Sequence, residues 1–186
     1  LMAGVGLLDD FLELRAAPKL ALQIAAAGVL AWGTLRWVPT MPSISWVGFL
    51  FLVMWLVGFT NAVNFTDNSH GLCAGVSVIG LLGTVAILGG RWGLTREATV
   101  GLAAAGALVG FLFWNFPSGR IFLGDGGSHL AGALWGALVA RLTLLEWGGG
   151  NRGQALLIVG LLTLMPLADF LQVCWGRWRR GQPLWR

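Results

Sequence analysis

Three short segments of this sequence combine carboxylate and amide side chains of the kinds that bind metals and phosphates. They are the pair Asp9-Asp10, the stretch 61–70 and the stretch 115–128. Mg²⁺ takes oxygen ligands and is commonly held by one or two carboxylates together with water and phosphate oxygens. The residue types therefore favour the hypothesis of a Mg²⁺ site beside a phosphate group. Whether such a site can form depends on the secondary-structure elements on which these residues lie.

The stretch 61–70 places Asn61, Asn64 and Asp67 three residues apart and ends at His70. On the end of a helix this spacing points the side chains the same way, so they can share one ligand. Helix capping is the alternative, because Asn and Asp are common at helix ends. Both interpretations stay open from the residues alone.

Asp125 lies among glycines in the stretch 122–129, directly before a predicted helix that begins at His129. Glycine lets the backbone approach a ligand closely, and the free N–H groups at a helix N-terminus bind phosphate. A metal held by Asp125 could bridge to a diphosphate beside those donors. An ordinary glycine-rich turn, with the aspartate near the start of the helix, is the alternative.

The pair Asp9-Asp10 is followed a few residues downstream by a basic residue, Lys19. Adjacent carboxylates raise one another's proton affinity, as an acid/base pair requires. A metal site, or plain charge at a membrane interface, explains the pair as well. Lys19 has the compact positive charge that suits a phosphate.

The composition predicts that these segments belong to a membrane protein. Hydrophobic residues make up 56% of the chain and charged residues only 11%, and the mean hydropathy is +0.76. A soluble domain carries about 25% charged residues; a very apolar soluble bundle is the alternative. Apolar runs near the roughly 20 residues that cross a bilayer predict an all-α, polytopic transmembrane helical bundle. A partial N-terminal span is followed by six full ones at 20–38, 46–61, 72–90, 98–116, 129–147 and 154–175.

Counting alternate connections between these spans places all three polar segments on the same side of the membrane. That side also receives more of the basic residues, including those of the C-terminal tail. Cytoplasmic loops carry an excess of Lys and Arg, so the shared side is predicted to be cytoplasmic. Carboxylates at membrane depth cost about 2.5–3.5 kcal/mol on insertion scales, which favours a functional reason for keeping them.

Taken together and in this order, the segments resemble the polyprenyl-phosphate N-acetylhexosamine-1-phosphate transferases, glycosyltransferase family 4. The resemblance covers nearly the whole chain, and its second and third motifs carry most of the specificity. The matching strings are LLDD at 7–10, PKL at 18–20, NAVNFTD at 61–67, NFP at 115–117 and RIFLGDGGS at 120–128.

The resemblance implies transfer of a sugar-1-phosphate from a UDP-sugar to polyprenyl (undecaprenyl) phosphate with release of UMP, in cell-wall or surface-glycan synthesis. It implies Mg²⁺, with Mn²⁺ as a substitute, at the diphosphate. The implied partners are the UDP-sugar, the polyprenyl phosphate, the lipid bilayer of the inner (plasma) membrane and a second copy in a homodimer, with no nucleic acid. The implied roles are metal binding for Asp125, Asn64 and Asp67, catalysis for Asp9, Asp10 and Asp67, and substrate binding for Lys19, Asn61, Asn115 and His70.

Two departures from the family pattern bear on activity. His70 stands where family members commonly have an acidic residue or Asn, and the family's His-rich loop would follow the last residues of this chain. The first helices of the family are missing as well, so residues 1–186 are predicted to be a single transmembrane domain from a longer protein. A membrane transporter and a catalytically inactive scaffold of the same family are the competing hypotheses.

Overall fold

The computed structural model describes residues 1–36, 46–150 and 152–182. Throughout these three ranges the regular secondary structure is α-helical, which confirms the predicted fold class. The helices are α1 (Met2–Leu12), α2 (Ala16–Arg36), α3 (Trp46–Phe65), α4 (Leu72–Gly90), α5 (Thr95–Asn115), α6 (Gly124–Gly148) and α7 (Arg152–Arg179).

Helices α2 to α7 are each long and apolar enough to cross a membrane, whereas α1 has only 11 residues. The protein is therefore a multi-pass membrane protein, as the apolar runs predict. The span over 72–90 matches α4, but α2 begins at Ala16 and α6 at Gly124, ahead of their predicted starts. Lys19 in the first turn of α2 and Asp125 in the first turn of α6 lower the local hydropathy, so the apolar runs begin after the helices do. Val38, the predicted end of the first full span, lies outside the described residues.

Helix α6 is the centre of the bundle. Two thirds of its most apolar window, 67%, is buried inside the protein, against 11% for α7. Trp135 of α6 is almost fully buried, packs edge-on against Phe59 at a centroid distance of 4.9 Å and lies over Gly80 of α4. Since lipid gives helices no hydrophobic reason to associate, such close packing over small residues holds them together.

Two ion pairs tie α6 to the α4–α5 hairpin at the end far from the polar segments. Glu146 is fully buried, and its Oε1 lies 3.1 Å from Nε of Arg91 and accepts a hydrogen bond from Nε1 of Trp92 at 3.0 Å. Arg141, also buried, lies 2.8 Å from Oε1 of Glu97. A buried carboxylate is tolerated only with such partners, so this end of α6 is locked to its neighbours.

We predict a graded loss of stability at Glu146. Glu146→Gln keeps an acceptor for Trp92 but loses the charge, and Glu146→Leu loses both, so the thermal midpoint should fall in that order. Because Arg91 is partly exposed, we expect about 1–3 kcal/mol for the leucine variant, below the value for a fully buried pair. Thermal unfolding in detergent measures both variants, and a leucine variant as stable as the wild type would contradict the assignment.

Candidate active site

Asp10 at the end of α1 caps the N-terminus of α6. Its Oδ1 accepts a hydrogen bond from the backbone N–H of Asp125 and its Oδ2 one from Gly126, both at 2.9 Å. The first N–H groups of a helix have no partner inside the helix and carry partial positive charge, so a carboxylate there is favourable. Two corrections follow: Asp125 lies in the first turn of α6 rather than in a turn before it, and these N–H groups bind Asp10.

Gly6 allows α1 to come close enough for this cap. A Cβ atom at Gly6 would lie 2.2 Å from the backbone oxygen of Asp125, far inside van der Waals contact. Only a residue without a side chain fits between the two helices at this point. The backbone of α1 therefore rests directly on the first turn of α6.

Lys19 joins three helices through two carboxylates. Its Nζ lies 2.6 Å from Oδ2 of Asp9 on α1 and also contacts Oδ2 of Asp125 on α6. The other oxygen of Asp9 accepts the N–H of Leu14 at 2.8 Å. The three charged side chains are between 14% and 26% exposed, so ligands can reach them while much of their hydration is already lost.

Asn64 holds the remaining oxygen of Asp125. Its Nδ2 donates to Oδ1 of Asp125 at 2.9 Å and to Oγ of Ser128 at 2.8 Å. Ser128 in turn donates to the carbonyl of Gly124 at 2.9 Å. Helix α3 runs to Phe65, so Asn61 and Asn64 share one helix, but Asp67 lies beyond its end and Asn61 pairs with Gln23 instead of Asp125. Both carboxylate oxygens of Asp125 are thus positioned by side chains from other helices.

Asp67 lies just beyond the end of α3, close to the negative charges of Asp125 and Asp10. Partial burial, followed by repulsion from those two carboxylates, raises the pKa of Asp67 to about 6, against a hydrogen bond from the backbone of Gly124 that lowers it. Like charges held together in this way disfavour ionisation of the group between them. A bound cation would relieve that repulsion.

The donors at this end of the bundle fit Mg²⁺. Asp125 and Asp67 supply carboxylates and Asn64 an amide, and Mg²⁺ needs only one or two protein carboxylates when phosphate and water complete its shell. Among the residues that the structure describes, no three Asp, Glu, His or Cys side chains are arranged as a complete metal cage. The arrangement therefore suits a metal whose coordination is completed by phosphate oxygens of a bound substrate.

The profile of glycosyl transferase family 4 matches residues 1–143, which carry every polar residue of the site described in this section. The chain belongs to glycosyl transferase family 4. The resemblance noted from the sequence motifs is confirmed, and the polar segments that carry it meet at Asp125.

Curated relatives of this family-4 chain share about a third of its residues. It is 36% identical over 184 residues to the phospho-N-acetylmuramoyl-pentapeptide-transferase of Lacticaseibacillus paracasei, covering 90% of this chain and 54% of that protein. It is also 36% identical over 135 residues to the probable undecaprenyl-phosphate N-acetylglucosaminyl 1-phosphate transferase of Bacillus subtilis, covering 69% and 37% respectively. The chain spans about half or less of the length of these relatives.

Asn115 and Asn61 make contacts that sequence reasoning did not foresee. Asn115 accepts the N–H of Gly71 at 2.6 Å and donates to the carbonyl of Ile121 at 2.8 Å, so it links the loops on either side of α4 and α5. Asn61 pairs with Gln23 of α2. Their predicted substrate contacts stay predictions, since their amide groups bind protein atoms in the structure.

His70 lies beside the cluster rather than within it. Its exposed ring packs against Phe122, at a centroid distance of 5.9 Å, and against the backbone of Gly119. Gly119 has a φ of +58°, and a Cβ there would lie 2.3 Å from the His70 ring. The contact joins the loop before α4 to the loop before α6. A substrate contact by His70 therefore also stays a prediction.

Two residues that position the site were missed or undervalued. Ser128 stands in the third motif, and its hydroxyl accepts a hydrogen bond from Asn64 that the motif itself does not reveal. Gln23 belongs to no motif, yet it is buried and bonded to two polar side chains. Its spacing of four residues from Lys19, which puts both on one helix face, was the available signal.

We predict that Gly6→Ala destabilises the protein while Gly4→Ala does not. The new methyl group at residue 6 forces α1 off the start of α6, and overpacking of this kind costs about 1–3 kcal/mol. Gly4 lies on the same helix with no atom within 4 Å of an added Cβ, so it is a matched control. Thermal unfolding of both variants in detergent decides, and equal midpoints would refute the close contact.

We predict that stability contributed at Asp67 falls as pH rises from about 4 to about 6. The folded-state pKa of about 6 exceeds the unfolded value of about 3.9, so in this window the folded chain binds more protons. Asp67→Asn does not titrate there and should gain stability relative to the wild type as pH rises. Unfolding midpoints of both proteins at about pH 4 and about pH 7 test this, and a constant difference would contradict it.

Proposed function

We propose that this chain forms the catalytic face of a transferase that moves a sugar-1-phosphate from a UDP-sugar to polyprenyl phosphate and releases UMP. The observation that carries the proposal is the contact of Lys19 with both Asp9 and Asp125, while Asn64 occupies the other oxygen of Asp125. A lysine, carboxylates and an amide of this kind suit a diphosphate and its metal, and the chain belongs to a family of glycosyl transferases.

In the proposed reaction an oxygen of the lipid phosphate attacks the phosphorus that bears the sugar. The bond from that phosphorus to the bridging oxygen breaks, and UMP leaves with that oxygen and its electron pair. Lys19 is placed to neutralise phosphate charge as it redistributes between attacking and leaving oxygens. Fixed charges of this kind supply most of the catalysis in phosphoryl transfer.

Asp9 and Asp10 contribute differently in this proposal. A phosphate monoester has a second pKa near 6 and is largely ionised at neutral pH, so the attacking lipid phosphate needs little help from a base. Both oxygens of Asp10 already accept backbone N–H groups of α6, and Asp9 holds Lys19. We assign Asp10 to fixing Asp125 and Asp9 to orienting the lysine.

Asp125, with Asn64 and Asp67, would hold Mg²⁺, which Mn²⁺ can replace. When bound, the cation would neutralise the diphosphate of the UDP-sugar. The raised pKa of Asp67, caused in part by Asp125 and Asp10, supports a cation between these carboxylates. Asn115 and His70 are proposed to contact the substrate from the surrounding elements.

We propose a UDP-N-acetylhexosamine as the donor, with GlcNAc-1-phosphate or a related group transferred, on the cytoplasmic face of the plasma membrane. The printed names of two relatives point to different sugars, N-acetylmuramoyl-pentapeptide and N-acetylglucosamine. Cell-wall or surface-glycan synthesis is the proposed pathway, and a homodimer the proposed assembly. A transporter would place its ionisable residues near the middle of the spans, whereas these lie at helix ends.

We predict Mg²⁺-dependent UMP release by the full-length parent protein in detergent, with undecaprenyl phosphate and either UDP-GlcNAc or UDP-MurNAc-pentapeptide. Asp125→Asn should lower kcat on the order of 100-fold, as for loss of a charged group that stabilises a transition state, and should raise the Mg²⁺ concentration needed. Glu13→Gln is the control, because Glu13 is an exposed carboxylate just past α1.

Two outcomes would contradict different parts of the proposal. Absence of UMP with every UDP-sugar tested would rule out the transferase. Turnover and Mg²⁺ dependence unchanged in Asp125→Asn would leave the transferase standing and remove Asp125 as the metal ligand.

A further inference from the structure

Lys19 of α2, Asn64 of α3 and Asp125 of α6 form the Lys19 cluster. A second layer of polar side chains lies about one helical turn deeper in the bundle, on the same three helices. Gln23 follows Lys19 by four residues on α2, and His129 follows Asp125 by four residues on α6. Asn61 precedes Asn64 by three residues on α3. Residues three or four apart lie on one helix face, so each helix presents one residue to the cluster and one to this deeper layer.

In the deeper layer each hydrogen bond fixes the orientation of the next side chain, starting from a backbone carbonyl. Nδ2 of Asn61 donates to the carbonyl of Val57 at 2.8 Å, which fixes the orientation of the amide, and also to Oε1 of Gln23 at 2.9 Å. Nε2 of Gln23 returns a bond to Oδ1 of Asn61 at 3.2 Å and lies 2.7 Å from Nε2 of His129. Because that nitrogen of Gln23 is a donor, Nε2 of His129 accepts the hydrogen bond between them.

Gln23 and His129 are buried more deeply than the charged cluster above them. Gln23 is 2% exposed and His129 0% exposed, whereas Lys19 is 20% exposed in its side chain. A buried donor or acceptor that loses its partner costs about 1–3 kcal/mol, so one relative placement of α2, α3 and α6 is favoured over neighbouring ones. Apolar contacts alone would tolerate small sliding and rotation of these helices far more readily.

We propose that Gln23, Asn61 and His129 are positioning residues that set the register of α2, α3 and α6, and thereby the contact geometry of Lys19, Asn64 and Asp125. The effect of these residues on the reaction rate rests on the proposed function, whereas their effect on helix register does not. A displacement of about 1 Å in reacting groups can lower a rate on the order of 100-fold. Residues that fix the register of these helices therefore affect turnover without contacting the substrate.

The first test needs no substrate, because Lys19 is the only lysine in the chain. With ¹⁵N-lysine in the full chain reconstituted in lipid bilayers, the side-chain signal reports on the contacts of Nζ alone. Gln23→Leu, similar in size but without hydrogen bonds, should shift or broaden this signal. Thr84→Val is the control, since the Thr84 hydroxyl is buried and donates to the Gly80 carbonyl of its own helix; it should leave the signal unchanged.

The second test separates positioning from stability by kinetics on the full-length parent. In the correctly folded fraction, Gln23→Leu and His129→Leu should each lower kcat on the order of tenfold or more, with KM for the UDP-sugar changed less than about threefold. His129→Gln keeps an acceptor for Gln23 and should recover part of the loss. The double leucine variant should lose less than the product of the single losses, because both partners of one bond are removed.

Failure of the two proposals is distinguishable. An unchanged Lys19 signal in folded Gln23→Leu, or unchanged kcat in both leucine variants, overturns the positioning role whatever the reaction. A wild-type protein that releases no UMP overturns the proposed function, and the Lys19 signal then decides the positioning role on its own.

Discussion

The ion pairing of Lys19 is the interaction on which the site depends. Its ammonium group contacts Asp9 of α1 and Asp125 of α6, so one charge from α2 joins three helices at the edge of an apolar bundle. Where hydration is already reduced, an uncompensated carboxylate is expensive, and Lys19 supplies the compensating positive charge for both aspartates. The same positive charge is what a diphosphate needs on arrival.

Helix α6, which bears Asp125, is held by its neighbours at both ends and in the middle. Its first turn holds Asp125 under the Asp10 cap, its middle packs Trp135 over Gly80, and its far end is tied through Glu146. Each contact comes from a different neighbouring helix or turn. A change in the tilt or height of α6 would therefore have to break contacts at several levels, and this makes α6 a rigid mount for Asp125.

The sequence predicted the architecture and the gathering of the motifs for physical reasons that are simple to state. Lipid leaves helices as the natural solution for runs of apolar residues, and alternating crossings place every second connection on one side. Contacts that join distant residues were out of reach. The Asp10 cap on α6 spans more than a hundred residues, Gln23 belongs to no motif, and Arg91, the ion-pair partner of Glu146, follows a different helix.

The central claim is that Lys19 links α1 and α6 through Asp9 and Asp125. A solid-state NMR measurement of dipolar coupling between lysine ¹⁵Nζ and aspartate ¹³Cγ, in the full chain in lipid bilayers, tests it directly because the chain has one lysine. Two carboxyl carbons should lie at ion-pair distance, within about 4 Å, and Asp9→Asn should remove one of the two carboxylate signals. Absence of coupling between Lys19 and Asp125 would contradict the account.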